Sequence, residues 1–86
     1  MYSLDFSNQA KNFLKKLDKQ DLDRVIKKME NLEDNPVPSD SKFIGRDNNE
    51  MIFRYRIGKF RVLYKFKESQ KIVLITKIDK RDRVYD

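Results

Sequence analysis

At 86 residues, with 20 Lys plus Arg against 14 Asp plus Glu and a net charge of +6, the chain has room for one hydrophobic core and one site, since a domain this small buries only about 60% of the surface its unfolded form exposes. It contains no Cys, no His and no Trp, which excludes a disulfide framework, a thiolate nucleophile, a Cys/His zinc site, a Ser-His-Asp triad and any acid–base pair built on imidazole. No apolar run is long enough to span a bilayer, and the N-terminal MYSLDFSNQA lacks a signal peptide's basic start and apolar centre, so the expected compartment is the cytoplasm.

In chain order, Tyr2-Ser3-Leu4-Asp5-Phe6 alternates apolar and polar residues, as a short half-buried strand does. Ser7 follows as an N-cap, its hydroxyl placed to accept an amide hydrogen bond from the first helical turn. Ala10, Phe13, Leu14 and Leu17 recur at helical spacing and predict an amphipathic helix over residues 8–17. Asp18 caps a second helix, with Asp21 favourable to the dipole in its first turn and Leu22, Val25, Ile26, Met29 and Leu32 as its apolar stripe. Lys19, Arg24, Lys27 and Lys28 fall mostly outside that stripe. So short a joint predicts an antiparallel helix hairpin. Asn35-Pro36-Val37-Pro38-Ser39-Asp40-Ser41 ends the helical half, because proline lacks an amide donor and disfavours helix in the residue before it. It reads as a loop inside one domain spanning residues 1–86, since either half alone is too small to fold.

Beyond the loop the periodicity becomes two. Lys42 to Arg46 reads as a short strand and Asp47-Asn48-Asn49-Glu50 as a turn. Met51 to Ile57 forms a strand with Met51, Phe53, Tyr55 and Ile57 on one face and Ile52, Arg54 and Arg56 on the other. Gly58-Lys59 is a tight turn into Phe60–Phe66, where Phe60, Val62, Tyr64 and Phe66 oppose Arg61, Leu63 and Lys65. After a turn at residues 67–70, Lys71 to Ile78 is apolar on both faces, as a central strand would be. The order is βααββββ, an α+β two-layer sandwich with a helix hairpin on one face of a mostly antiparallel sheet. The other face is left to display Arg54, Arg56, Arg61 and Lys65.

Residues 1–41 carry seven basic and eight acidic side chains and residues 42–86 thirteen and six, so the whole positive excess lies in the second half. Six of the seven arginines (Arg46, Arg54, Arg56, Arg61, Arg81, Arg83) and three of the four tyrosines (Tyr55, Tyr64, Tyr85) lie there too. Interleaved arginines and aromatics suit a single-stranded nucleic acid, through forked donors to phosphate and stacking on bases. A well-solvated basic surface has the same composition. Arg54 and Arg56 share a strand face and Arg61 lies just past the Gly58 turn, so three guanidinium groups can converge on one patch, with Arg81, Arg83 and Tyr85 leaving the last strand within reach of it. Converging guanidinium groups repel unless an anion sits among them, and a phosphodiester is the natural one. The alternative is that these arginines pair with Glu50, Asp79 and Asp82 or face water.

At these residues the chain resembles the RelE/ParE toxin superfamily. The resemblance rests on Tyr2-Ser3-Leu4-Asp5-Phe6-Ser7, on Ala10, Phe13, Leu14 and Leu17, and on the helix end at Leu32 and Asn35-Pro36. It rests further on Phe53 to Tyr64, with its R-x-R-x-G-x-x-R-x-x-Y pattern, and on the closing Lys80-Arg81-Asp82-Arg83-Val84-Tyr85. It covers essentially the whole chain and is strongest toward RelE toxins without a C-terminal helix. The resemblance implies a ribosome-dependent endoribonuclease that cuts mRNA in the A site by 2′-OH attack on the neighbouring phosphate, with no metal and no cofactor, and with a RelB-like antitoxin as protein partner. Carried over by position, Arg54 and Arg56 match the basic strand residues, Arg61 the phosphate-binding arginine, Arg81 the arginine that stabilises transition-state charge, and Tyr85 the late tyrosine. Lys59, Lys65, Lys80, Arg83 and Arg46 are the further expected contacts to RNA and ribosome. Where the family often has lysine on the strand this chain has arginine, and a guanidinium is a poor general base. The base is therefore open, with Tyr85, Lys80 and Lys59 as candidates. Two other readings fit the residues: a ParE-like inhibitor of DNA gyrase, and a non-catalytic RNA- or ribosome-binding module.

Overall fold

The computed structural model describes residues 1–80. Its elements are β1 (Ser3–Phe6), α1 (Asn8–Lys15), α2 (Lys19–Asp34), β2 (Ser41–Asp47), β3 (Glu50–Ile57), β4 (Phe60–Lys67) and β5 (Ile72–Lys80). The order βααββββ and the α+β class follow the sequence reading. The strands lie in the order β1-β5-β4-β3-β2. β1 pairs parallel with β5, and all other pairs are antiparallel.

Local chemistry sets the helix ends. Ser7 and Asp18 both hold extended backbone and accept from the third residue on, Ser7 Oγ from the Ala10 amide at 3.1 Å and Asp18 Oδ1 from the Asp21 amide at 2.8 Å. α1 stops at Lys15, two residues short of the expected 17, because Lys16 and Leu17 donate back three residues, to Phe13 and Leu14 at 3.1 and 3.2 Å. This tightened last turn frees the chain to adopt the extended Asp18 cap, and Leu17 still packs against the core.

The core lies between the helices and one sheet face. Ala10, Val25, Met29 and Leu32 meet Phe53, Tyr55 and Ile57 of β3, Phe60, Val62 and Tyr64 of β4, and Val73, Ile75 and Ile78 of β5. Tyr64 stacks on Phe53 with ring centroids 5.7 Å apart and donates its hydroxyl to Pro36 O at 2.6 Å, which fixes the loop between α2 and β2. Burial pushes the Tyr64 hydroxyl up from 10.0 to about 12.

β5 is interior to the sheet, as its two apolar faces predicted, but it runs from Ile72 to Lys80 rather than from Lys71 to Ile78. Lys71 instead closes the preceding turn with φ 56°. β1 reaches only as far as Ile75 on β5. Past that point side chains complete the edge: Ser7 Oγ donates to Thr76 O at 2.8 Å, and the Gln9 amide both donates to Ile78 O and accepts from Ile78 N, at 2.9 and 3.0 Å. The expected turn at 47–50 narrows to Asn48-Asn49, both at positive φ, as a two-residue hairpin of the primed type requires.

Candidate nucleic-acid interface

The helices cover one sheet face, and strand register determines what the other presents. Across the open face, one row runs Lys42, Arg54, Leu63, Lys77 from β2 to β5. The next row runs Arg56, Arg61, Asp79 from β3 to β5. Arg56 and Arg61 are direct cross-strand partners beside the Gly58 turn, which puts their Cβ atoms about 4.5–5.5 Å apart. Arg56 is exposed, whereas Arg54 and Arg61 are half-buried. Arg61 Nη1 donates to Gly58 O at 3.4 Å and Phe60 O at 3.3 Å, so the turn that positions Arg61 also orients its guanidinium.

The register thus places Arg54, Arg56 and Arg61 on one face in two neighbouring rows. Such a face can hold a phosphodiester between forked donors and stabilise negative charge that develops on its oxygens.

The other residues expected at the site are placed as follows. Lys65 lies on the open face but only 12% of its side chain is exposed, and it pairs with Asp47 at 3.0 Å and Glu50 at 3.3 Å. The hydrogen bond to Asp47 raises its pKa, and the pair ties the β2–β3 hairpin to β4. Glu50 also pairs with Lys67 at 3.6 Å, so that carboxylate serves lysines. Lys59 is in the β3–β4 turn with its ammonium 3.6 Å from Asp21 of α2 and 5.4 Å from the Phe60 ring centre. Lys80 stands opposite Phe60, which points to the helices, so its register faces away from Arg61. Arg46 stands opposite Met51 at the far end of β3. Arg81, Arg83 and Tyr85 lie outside the described residues.

Two open-face residues were missed by sequence reasoning, Lys42 and Lys77, while Asp79, named there only as a pairing partner for the arginines, stands directly across from Arg61. Lys77 is the instructive one. Strict alternation from Val73 and Ile75 would bury it, but an irregularity between the Leu63 and Tyr64 pairings inserts Thr76 and turns Lys77 outward. The signal was the spacing of Val73, Ile75 and Ile78, which is two and then three.

Known proteins share this architecture. The family model for the ParE toxin of type II toxin–antitoxin systems, parDE, matches residues 4–85. A protein of Methanocaldococcus jannaschii that bears the name toxin RelE1 is 31% identical over 85 residues, covering 98% of this chain and 94% of that one. The archaeal RelE–RelB complex from Pyrococcus horikoshii contains a chain matching with a TM-score of 0.82 at 27% identity, over 96% of this chain and 98% of that one. In the RelBE2 toxin–antitoxin complex of Mycobacterium tuberculosis the match has a TM-score of 0.76 at 27% identity, over 93% of this chain and 98% of that one. Fold and sequence together define a toxin of the type II toxin–antitoxin class. The chain belongs to the RelE/ParE toxin family.

Proposed function

We propose that this toxin is a ribosome-dependent endoribonuclease that cleaves mRNA in the A site, inhibits translation in the cytoplasm, and is neutralised by a RelB-like antitoxin. The observation that carries the reading is the direct opposition of Arg56 and Arg61 beside Arg54, on the sheet face that the helices leave open. Forked guanidinium donors held side by side on an open face suit the oxygens of a phosphodiester. The RelE relatives from P. horikoshii and M. tuberculosis, each in a complex with its antitoxin, support the partner.

In the reaction the 2′-oxygen bonds to phosphorus and the bond from phosphorus to the 5′-oxygen breaks. A 2′,3′-cyclic phosphate and a 5′-OH result, with one proton leaving the 2′-OH and one arriving at the 5′-oxygen. Arg61 binds the phosphate, and Arg54 and Arg56 hold its flank. Arg81 takes up the charge that grows on the non-bridging oxygens. The pairing of Lys59 with Asp21 and the register of Lys80 weigh against both as proton acceptor. That leaves Tyr85, together with Asp79, whose position is directly across from Arg61.

The test is to incubate purified toxin with translating ribosomes and map mRNA 5′ ends. Codon-phased cuts with 5′-OH termini are expected, and an Arg81→Ala, Tyr85→Phe variant should bind ribosomes yet neither cut nor arrest growth. The ParE name of the matching family model keeps a gyrase inhibitor as the second reading. No phased cuts, with supercoiling by gyrase blocked instead, would decide for it. Full cleavage by the double variant would remove the catalytic assignment.

A further inference from the structure

A second basic feature lies away from the open face. A cleft of about 460 Å³ opens where α2 passes the end of β3, lined by Arg24, Lys27, Lys28 and Asn31 from the helix and by Arg56 and Ile57 from the strand. It exists because β2 pairs with β3 only up to Ser41 opposite Tyr55, so the edge of β3 beyond Tyr55 has no strand beside it. On α2, positions 24, 27, 28 and 31 fall on one helical face and point four polar side chains at that edge.

Among the described residues no carboxylate lines the cleft. Two acids flank it: Asp21 is 4.0 Å from Arg24, and Asp40 is 3.6 Å from Lys28. Lys28 also lies 5.4 Å from the centre of the Tyr55 ring. Lys27 and Arg56 have no carboxylate partner among the described residues. Four cations around one cleft, two of them guanidinium forks, specify an anion.

Continuity decides which anion. Arg56 belongs both to the cleft and to the Arg56–Arg61 pair on the open face. A single polyanionic strand lying on that face therefore meets the cleft as it passes the end of β3. We propose that the α2–β3 cleft is a second phosphate-binding site, which holds the backbone of RNA flanking the segment on the open face. Arg24, Lys27 and Lys28 contact phosphate oxygens, Asn31 offers both a donor and an acceptor to a base edge or 2′-OH, and Ile57 gives an apolar surface against the sugar. The inference rests on the reading that the partner is RNA, but it concerns binding rather than cleavage.

The experiment uses a fluorescein-labelled 2′-O-methyl RNA, which has no 2′-OH to attack with, and measures anisotropy against increasing KCl. An Arg24→Gln/Lys27→Gln variant is compared with the parent and with Lys11→Gln/Lys15→Gln, which removes the same charge from exposed positions on α1 outside the cleft. Each lost phosphate contact lowers the slope of log K against log salt by about 0.7 for a single strand, so the cleft variant should lose about 1.4. The α1 variant should stay on the parent line. An unchanged slope for the cleft variant, an equal loss in both variants, or no binding by the parent would each overturn the proposal. So would a cleft variant that keeps its RNA slope and loses affinity for the antitoxin, which would make the cleft a protein-docking surface. Because the probe cannot be cut, absence of A-site cleavage in its own assay bears on the nuclease reading alone.

Discussion

Under the proposed function, Arg56 and Arg61 set function against stability in a single residue pair. They are cross-strand partners of like charge beside a tight turn, an arrangement that weakens a hairpin by a few tenths of a kcal/mol up to about 1. Arg56→Thr removes the repulsion and adds a β-branched residue to a strand. We expect urea unfolding to show a gain of about 0.2–1 kcal/mol while codon-phased cleavage falls. A variant that loses both stability and cleavage would mean that Arg56 is chiefly structural. Tyr64 shows the opposite balance, a residue rich in chemistry that serves the fold. Its buried hydroxyl donates to Pro36 O at 2.6 Å and has its pKa raised to about 12 from 10.0. The fold thus prefers the neutral phenol. Its contribution is fully present below pH 10 and is lost as pH rises toward 12, where the unfolded chain ionises first. Tyr64→Phe should cost about 1–3 kcal/mol near neutrality through the unsatisfied carbonyl. It should also flatten the alkaline limb of a stability–pH profile, and a limb unchanged by the substitution would assign it to other groups.

At the scale of elements, legibility followed the range of the interactions. Ser7 and Asp18 could be read as caps because their hydrogen bonds close within three residues. The faces of β3 and β4 could be read because alternation holds through both. The end of α1 could not, since it depends on how Lys16 and Leu17 enter the Asp18 cap. The outward turn of Lys77 could not, because the bulge that produces it is a matter of pairing with β4. The cleft was hidden for the same reason: Arg24, Lys27 and Lys28 lie more than twenty residues before Arg56 in sequence and meet it only through packing of α2 beside β3. The β3–β4 turn is a sharp test of the hairpin's design. Gly58 has φ +59°, and an added Cβ would stand 3.8 Å from Arg24 Nη1, an ordinary contact. The cost of Gly58→Ala is therefore a backbone cost, about 1–2 kcal/mol, visible as a lower Tm. Since the Gly58 carbonyl also accepts from Arg61, cleavage should fall by more than the stability loss alone produces. A cleavage defect that disappears when the temperature is lowered to restore full folding would show that the turn does not orient Arg61.

For the whole molecule, the charge division visible in the sequence became a division of surfaces. The near-neutral first half of the chain supplies β1 and both helices, and the basic second half supplies nearly all the rest of the sheet as far as Lys80. It is not a clean division, because the stripe of Arg24, Lys27 and Lys28 carries positive charge around the edge of β3 from the helical side. A field of this shape attracts any polyanion, so under the proposed function a ribosome and an acidic antitoxin would compete for the same long-range attraction before they compete for contacts. Steering of this kind acts on association and is screened over about 8–10 Å at physiological ionic strength. In stopped-flow mixing with an acidic antitoxin, raising KCl should therefore slow association steeply and leave dissociation nearly constant. Lys42→Gln/Lys77→Gln, which removes two charges from the open face, should lower the association rate at low salt and converge on the parent at high salt. If the variant instead dissociates faster at every salt concentration, Lys42 and Lys77 make close contacts in the complex, and the antitoxin covers the arginine-bearing face directly rather than being guided past it.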